Sequence, residues 1–350
     1  MFDKTINISL FKTGLKPATP ILRYAIGSSF IVAVTALMNY DLAYLTSVLA
    51  LGYMAPGAKP LTAKQGFNFI IILSFITGFT VLFSEMFLEY ALVFMPLLTL
   101  GLLWIYFTNK LPVTVKLFSL ISLIIIPFVS IDSGAIGSYV AVRLVFNSFM
   151  AIILSQIIFL IFPLSEADTP FIKAQQKANK QSEKERLTHA IHIIVIILPV
   201  LLLFYVFKLS SSVLILTFIA ILSMSPALAN PKVGLVMIVA NILGGIVAIF
   251  AYKLLVVVPN FNFMILITLS VGLLFGAQLF SKNKLAPIFG SGFSTFLLIL
   301  GSVTASDAEA GNEVWVRVVQ IAMAVIYVVT AFAILNYIQK NKTNKLQHAN

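Results

Sequence analysis

The chain has 350 residues, 60% of them apolar and 10% charged, with a formal net charge of +11 and no cysteine. Soluble domains are roughly 45–50% apolar and about 25% charged, so this composition excludes a soluble domain, a disordered chain and a nucleic-acid binder. Long uninterrupted apolar runs also argue against an outer-membrane β-barrel, whose strands alternate, and point to an all-α polytopic membrane protein.

A bilayer core of about 30 Å needs roughly 20 helical residues. Met1 to Lys16 is polar, carries Lys4, Lys12 and Lys16, and has no apolar segment with a small-residue cleavage site, so no cleaved signal peptide is expected. Apolar runs then predict spans over 21–39, 42–56, 67–84, 88–108, 112–131 and 138–162. A segment rich in Lys, Gln and Glu follows, and further spans are predicted over 188–207, 211–227, 233–255, 261–281, 285–304 and 313–338. The organisation is a first six-helix half (1–164), a cytoplasmic polar linker (165–187), a second six-helix half (188–339) and a cytoplasmic tail (340–350).

Twelve spans with the N-terminus in the cytoplasm put 19 of the 23 Lys and Arg residues inside. Nineteen cations and five carboxylates inside give +14; four cations and seven carboxylates outside give −3. That is the positive-inside pattern, and it places both termini in the cytoplasm. The outside cations are Arg143, Lys208, Lys253 and Arg317.

The halves resemble each other. Shifted by 171 residues, Met54-Ala-Pro-Gly-Ala-Lys-Pro60 meets Ser225-Pro-Ala-Leu-Ala-Asn-Pro231; shifted by 174, Tyr139-Val-Ala-Val-Arg143 meets Glu313-Val-Trp-Val-Arg317. Six spans per half makes this a parallel 6+6 repeat, and two such halves commonly enclose a transport path.

Charges within spans face a cavity or a partner. Arg143 and Arg317 lie inside outer helix ends, either as an anion site or as structural pairs with Asp132 and Asp307, or with Glu313 four residues before Arg317. Asn147 and Gln320 follow them by about one turn. Arg23 opens the first span, as an anion contact or as a headgroup anchor. Lys59 and Lys64 flank the Pro-broken exit of the second span, with Pro226, Asn230, Pro231 and Lys232 in the matching place. Asp132 and Asp307 are the candidates for proton coupling. Gly244-Gly245, Gly272-x-x-x-Gly276 and Gly290-Ser-Gly292 permit close helix packing. His189 and His192 lack a third ligand, and no phosphate-binding, zinc-protease or serine-hydrolase motif is present, so neither an enzyme nor a cofactor is expected.

The stretches Leu22-Arg23-Tyr24-Ala25-Ile26-Gly27 and Ala50-Leu51-Gly52-Tyr53-Met54-Ala55-Pro56-Gly57 are similar to the first-helix Arg and second-helix Pro/Gly exit of the aromatic-acid exporter or fusaric-acid-resistance superfamily. The chain most resembles a compact bacterial branch of it. The family's Arg-x-x-Gly-Thr after that exit is missing, with Asn68 near the expected Arg. The resemblance implies efflux of small, often aromatic, organic anions across a bacterial inner membrane, with a periplasmic membrane-fusion (adaptor) partner; export driven by the proton gradient is the expected mechanism. A passive anion channel and a non-transporting subunit that scaffolds an envelope complex remain alternatives, and a homo-oligomer is compatible with each.

Overall fold

The structure, a computed structural model, describes residues 18–108, 111, 113–178, 183–209, 215–216, 219, 231–281, 283, 285–304, 319–320, 323, 326–327, 330–331 and 334. The described residues are 87% helical, and no strand occurs among them. Its helices are α1 (Thr19–Met38), α2 (Ala43–Met54), α3 (Ala63–Phe87), α4 (Ala91–Phe107), α5 (Val113–Ser130), α6 (Gly134–Ile161), α7 (Thr169–Ala178), α8 (Glu183–Val206), α9 (Pro231–Val257), α10 (Phe261–Leu279) and α11 (Ala286–Thr304). Among the described residues, six are long and apolar enough to cross a membrane: α1, α3, α6, α8, α10 and the Val239–Val257 part of α9. The apolar helices α2, α4, α5 and α11 are shorter by that measure. The span expected over 211–227 lies almost wholly outside the described residues, and the described residues of 319–334 are helical.

Local chemistry sets the boundaries. Pro20 sits in the first turn of α1, where its missing N–H costs nothing. Asn39 closes α1 in the left-handed conformation, its N–H donating to Thr35 O at 3.1 Å. Gly57, at φ 86°, makes the turn after α2. Thr62 and Gln65 form a reciprocal capping box that starts α3 four residues ahead of the predicted span. The N-terminus of α8 reaches back into the expected linker as far as Glu183, because Glu183 and Glu185 in its first turn complement the helix dipole. Hydroxyls inside helices are satisfied locally: Thr77, Thr80, Ser84, Ser119 and Ser148 each donate to the carbonyl four residues back.

Packing in lipid depends on close approach rather than on expulsion of water. Glycines supply that approach here. A Cβ on Gly272 would lie 3.2 Å from Ala25 Cα, and one on Gly276 would lie 3.5 Å from Tyr24 Cδ1, so this glycine pair seats α10 on α1. Gly244 and Gly292 meet backbone to backbone where α9 crosses α11.

The neighbours of the long helices follow a crosswise order. α1 runs antiparallel along α10: Tyr24, near the start of α1, lies 5.9 Å from Phe280 just beyond the end of α10. α8 runs antiparallel along α4: Arg186 lies over Phe107 at one end, and Tyr205 stacks on Phe94 at 5.5 Å at the other. Tyr205 also donates to Leu88 O at 2.5 Å. Within the first set α3 packs on α5 and α4 on α5; among the later helices α9 packs on α11 and α10 on α11. α2 reaches across to α11.

Candidate functional site

Polar side chains gather at both ends of the seam between α1 and α6. At the end where α1 begins, Arg23 is 1% exposed and forms an ion pair with Asp168, which is 3% exposed. Its Nη1 also donates to Phe162 O at 3.4 Å and to Pro163 O at 3.3 Å, and the guanidinium lies 4.7 Å above the Phe159 ring. Asp168 is placed by a 3-10 turn over Glu166–Asp168, in which it accepts from Ser165 N at 2.8 Å and Ser165 Oγ at 3.1 Å. Arg23 thus clamps the start of α1 to the chain leaving α6. Its guanidinium faces a carboxylate of the chain, neither the headgroups nor an open mouth.

At the other end Arg143 donates to Asp41 at 2.8 Å, with side chains 30% and 63% exposed. Tyr139 also donates to Asp41, and Arg143 lies 5.1 Å over its ring. This corrects the structural alternative for Arg143: the paired carboxylate is Asp41, in the α1–α2 turn, whereas Asp132 is exposed and forms no ion pair among the described residues. The turn between α1 and α2 is short, and left-handed Asn39 and Leu42 bring Asp41 back over α6.

Asn147 is fully buried one turn below Arg143. It donates to Arg143 O at 2.7 Å and accepts from Thr46 at 2.7 Å, while Thr46 and Tyr40 share a hydrogen bond of 2.6 Å. Tyr40 lines a cavity of about 190 Å³ between α1, α2, α10 and α11, together with Thr35, Asn39, Tyr44, Ser47 and Thr304. A polar chain therefore runs from this cavity through Tyr40, Thr46 and Asn147 to the backbone carbonyl of Arg143, whose side chain pairs with Asp41. The cavity lies where α1 and α2 meet α10 and α11, at the end of α1 away from Arg23. Its lining carries hydroxyls, a carboxamide and aromatic edges but no formal charge. An apolar cavity of about 150 Å³ holds benzene, so this one has room for a single substituted ring.

Burial of Asn147 makes its replacement costly. Asn147→Leu is expected to lower stability by about 1–3 kcal/mol by taking one buried acceptor from Thr46 and one donor from the Arg143 carbonyl. Thermal unfolding in detergent checks this, and an unchanged midpoint would show that the network carries no strain-free bonds of value.

Of the other expected site residues, Lys59 and Lys64 are exposed at the α2–α3 turn, far from Arg143 along the helices. Gln320 is half-buried on the last described helical stretch. Arg317 and Asp307 lie outside the described residues, as do Pro226 and Asn230. Sequence reasoning passed over Asp168, Asp41, Thr46 and Tyr40. Ser165 with Asp168 three residues on is a capping signal that could have flagged a held carboxylate.

Comparison with protein-family models, with curated proteins and with solved structures finds no match to this chain.

Proposed function

We propose that the chain is a twelve-span secondary transporter of two parallel six-helix halves, exporting small aromatic organic acids across a bacterial inner membrane at the expense of the proton gradient. The observation that carries this reading is the crosswise packing. Helices α3, α4 and α5 open at Ala63, Ala91 and Val113, and α9, α10 and α11 open at Pro231, Phe261 and Ala286, an offset of about 170 residues. The same offset relates α1 to α8. Under that exchange α1 on α10 becomes α8 on α4, and both contacts exist. The pairs α3–α5 with α9–α11, and α4–α5 with α10–α11, exchange likewise. Such an arrangement is what an axis along the membrane normal produces, and transport sites lie at the repeat interface.

In this reading the acid's ring occupies the cavity beside Tyr40 and Tyr44. Arg143 has two carboxylate claimants, Asp41 and the exported anion, and an anion seated on the guanidinium displaces Asp41 from it. Asp41, which touches the cation, joins Asp132 and Asp307 as a candidate coupling carboxylate. Both termini face the cytoplasm, and a periplasmic adaptor would carry the product onward. Cells lacking the protein are expected to accumulate hydroxybenzoate-like acids and to grow less well in their presence. Unchanged accumulation and sensitivity across a panel of acids would refute the reading.

A further inference from the structure

We propose that the seam between α3 and α6 binds one anionic glycerophospholipid of the surrounding bilayer. This goes beyond transport and rests only on α3 and α6 spanning the membrane. Two grooves run end to end along the seam. One, of about 970 Å³, is walled by Pro60, Gly66, Phe67, Ile152, Phe159 and Leu160. The next, of about 730 Å³, shares Ile70 and Phe149 with it and continues to Leu82 and Ser138. α3 has 25 residues, which at 1.5 Å each gives about 37 Å, longer than one acyl chain. Phe67 is 68% and Leu160 83% exposed, so the first groove opens outward from the helix bundle.

Lysines stand at one end. Lys59 precedes Pro60 and Lys64 follows Ala63 at the groove's end; both are exposed, and neither forms an ion pair among the described residues. No carboxylate lines the groove. Two free ammonium groups at the membrane surface favour an anionic headgroup. Gln156 forms part of the groove wall, and its amide nitrogen is buried with no hydrogen-bond partner among the described residues. It stands five residues before the end of α6, about 7–8 Å into the helix, the depth at which glycerol ester carbonyls lie below their phosphate. An unpaired amide in hydrocarbon is costly, and a turn of the Gln156 side chain toward the groove brings its buried nitrogen to an ester carbonyl. A second copy of the chain seated here by two-fold symmetry would instead bring four lysines together at one end.

Native mass spectrometry of the detergent-purified protein, titrated with dioleoyl phosphatidylglycerol or dioleoyl phosphatidylcholine, tests the site. One phosphatidylglycerol per chain is expected, held about tenfold more tightly than phosphatidylcholine. Lys59→Gln/Lys64→Gln should abolish that preference, and because both side chains are exposed the variant should fold. Gln156→Leu should weaken both lipids alike by about threefold, since both carry the ester carbonyl. Equal affinity for the two lipids, an unaltered preference in the double variant, or displacement by millimolar inorganic phosphate would overturn the proposal. The chain has no cysteine, so Phe67→Cys supplies a single thiol in the groove. Oxidative dimerisation through it in native membranes would assign the seam to a second copy and also overturn the proposal.

Discussion

Arg23→Ala is expected to destabilise the protein by about 3–5 kcal/mol, because it strands a buried carboxylate. Asp168 would keep only Ser165 as a donor, and the carbonyls of Phe162 and Pro163 would each lose a donor. Asp168→Ala should cost a similar amount by leaving the guanidinium buried among carbonyls and the Phe159 ring. Replacing both, as Arg23→Met with Asp168→Leu, should recover much of the loss, since an apolar pair of similar volume needs no desolvation. Thermal unfolding in detergent, with yield followed by size-exclusion chromatography, reads all three. If Arg23→Ala unfolds at the wild-type temperature, the clamp between α1 and the α6 exit does not hold the fold. If the double variant is as unstable as either single one, the contribution of Arg23 is its geometry rather than its charge.

Gly244→Ala and Gly292→Ala carry the second large effect. A Cβ on Gly244 would sit inside the van der Waals contact of Gly292 O. One on Gly292 would sit 2.5 Å from Ala240 O and 2.8 Å from Phe275 Cε1. The obstructing atoms are chiefly backbone, which cannot rotate away, so the helices must separate. Overpacking of this kind costs about 1–3 kcal/mol and more where the backbone is rigid. Asn241, hydrogen-bonded to Ser291 at 2.9 Å and to Thr295 at 2.6 Å across the same crossing, would lose geometry with them. Gly52→Ala, with nothing within 4 Å of the added carbon, is the matched control and should leave the midpoint unchanged or slightly raised. A crossing that tolerates alanine at both positions would contradict the packing described for α9 and α11.

The apolar runs predicted the helices closely because run length and helix length answer to the same bilayer thickness. The predicted 261–281 is α10 at Phe261–Leu279, and 285–304 is α11 at Ala286–Thr304. The glycine pairs were legible too, since close approach leaves its mark as missing side chains. Partners were not legible. Arg23 and Asp168 are 145 residues apart, and nothing in a helical period says which helix will lie beside which. Arg143 and Asn147 were singled out by charge and spacing, and the structure joins them through one helical turn. Their link to the cavity passes through Tyr40 and Thr46, ordinary residues whose role depends on the α1–α2 turn folding back over α6. Lys59 and Lys64 were read with the arginines, but a cation at a helix entrance has several uses, and only the neighbouring groove distinguishes them.

The claim that this chain moves small acids by exchanging Arg143 between Asp41 and substrate is tested most directly by flux in proteoliposomes. The purified protein, reconstituted with an imposed proton gradient, should transport a radiolabelled hydroxybenzoate, and dissipating the gradient should stop it. Arg143→Gln and Asp41→Asn should each abolish gradient-driven flux. Because the Arg143–Asp41 pair is largely exposed, each should change stability by no more than about 1 kcal/mol. Flux that persists in both variants, or that proceeds equally without a proton gradient, would contradict the account.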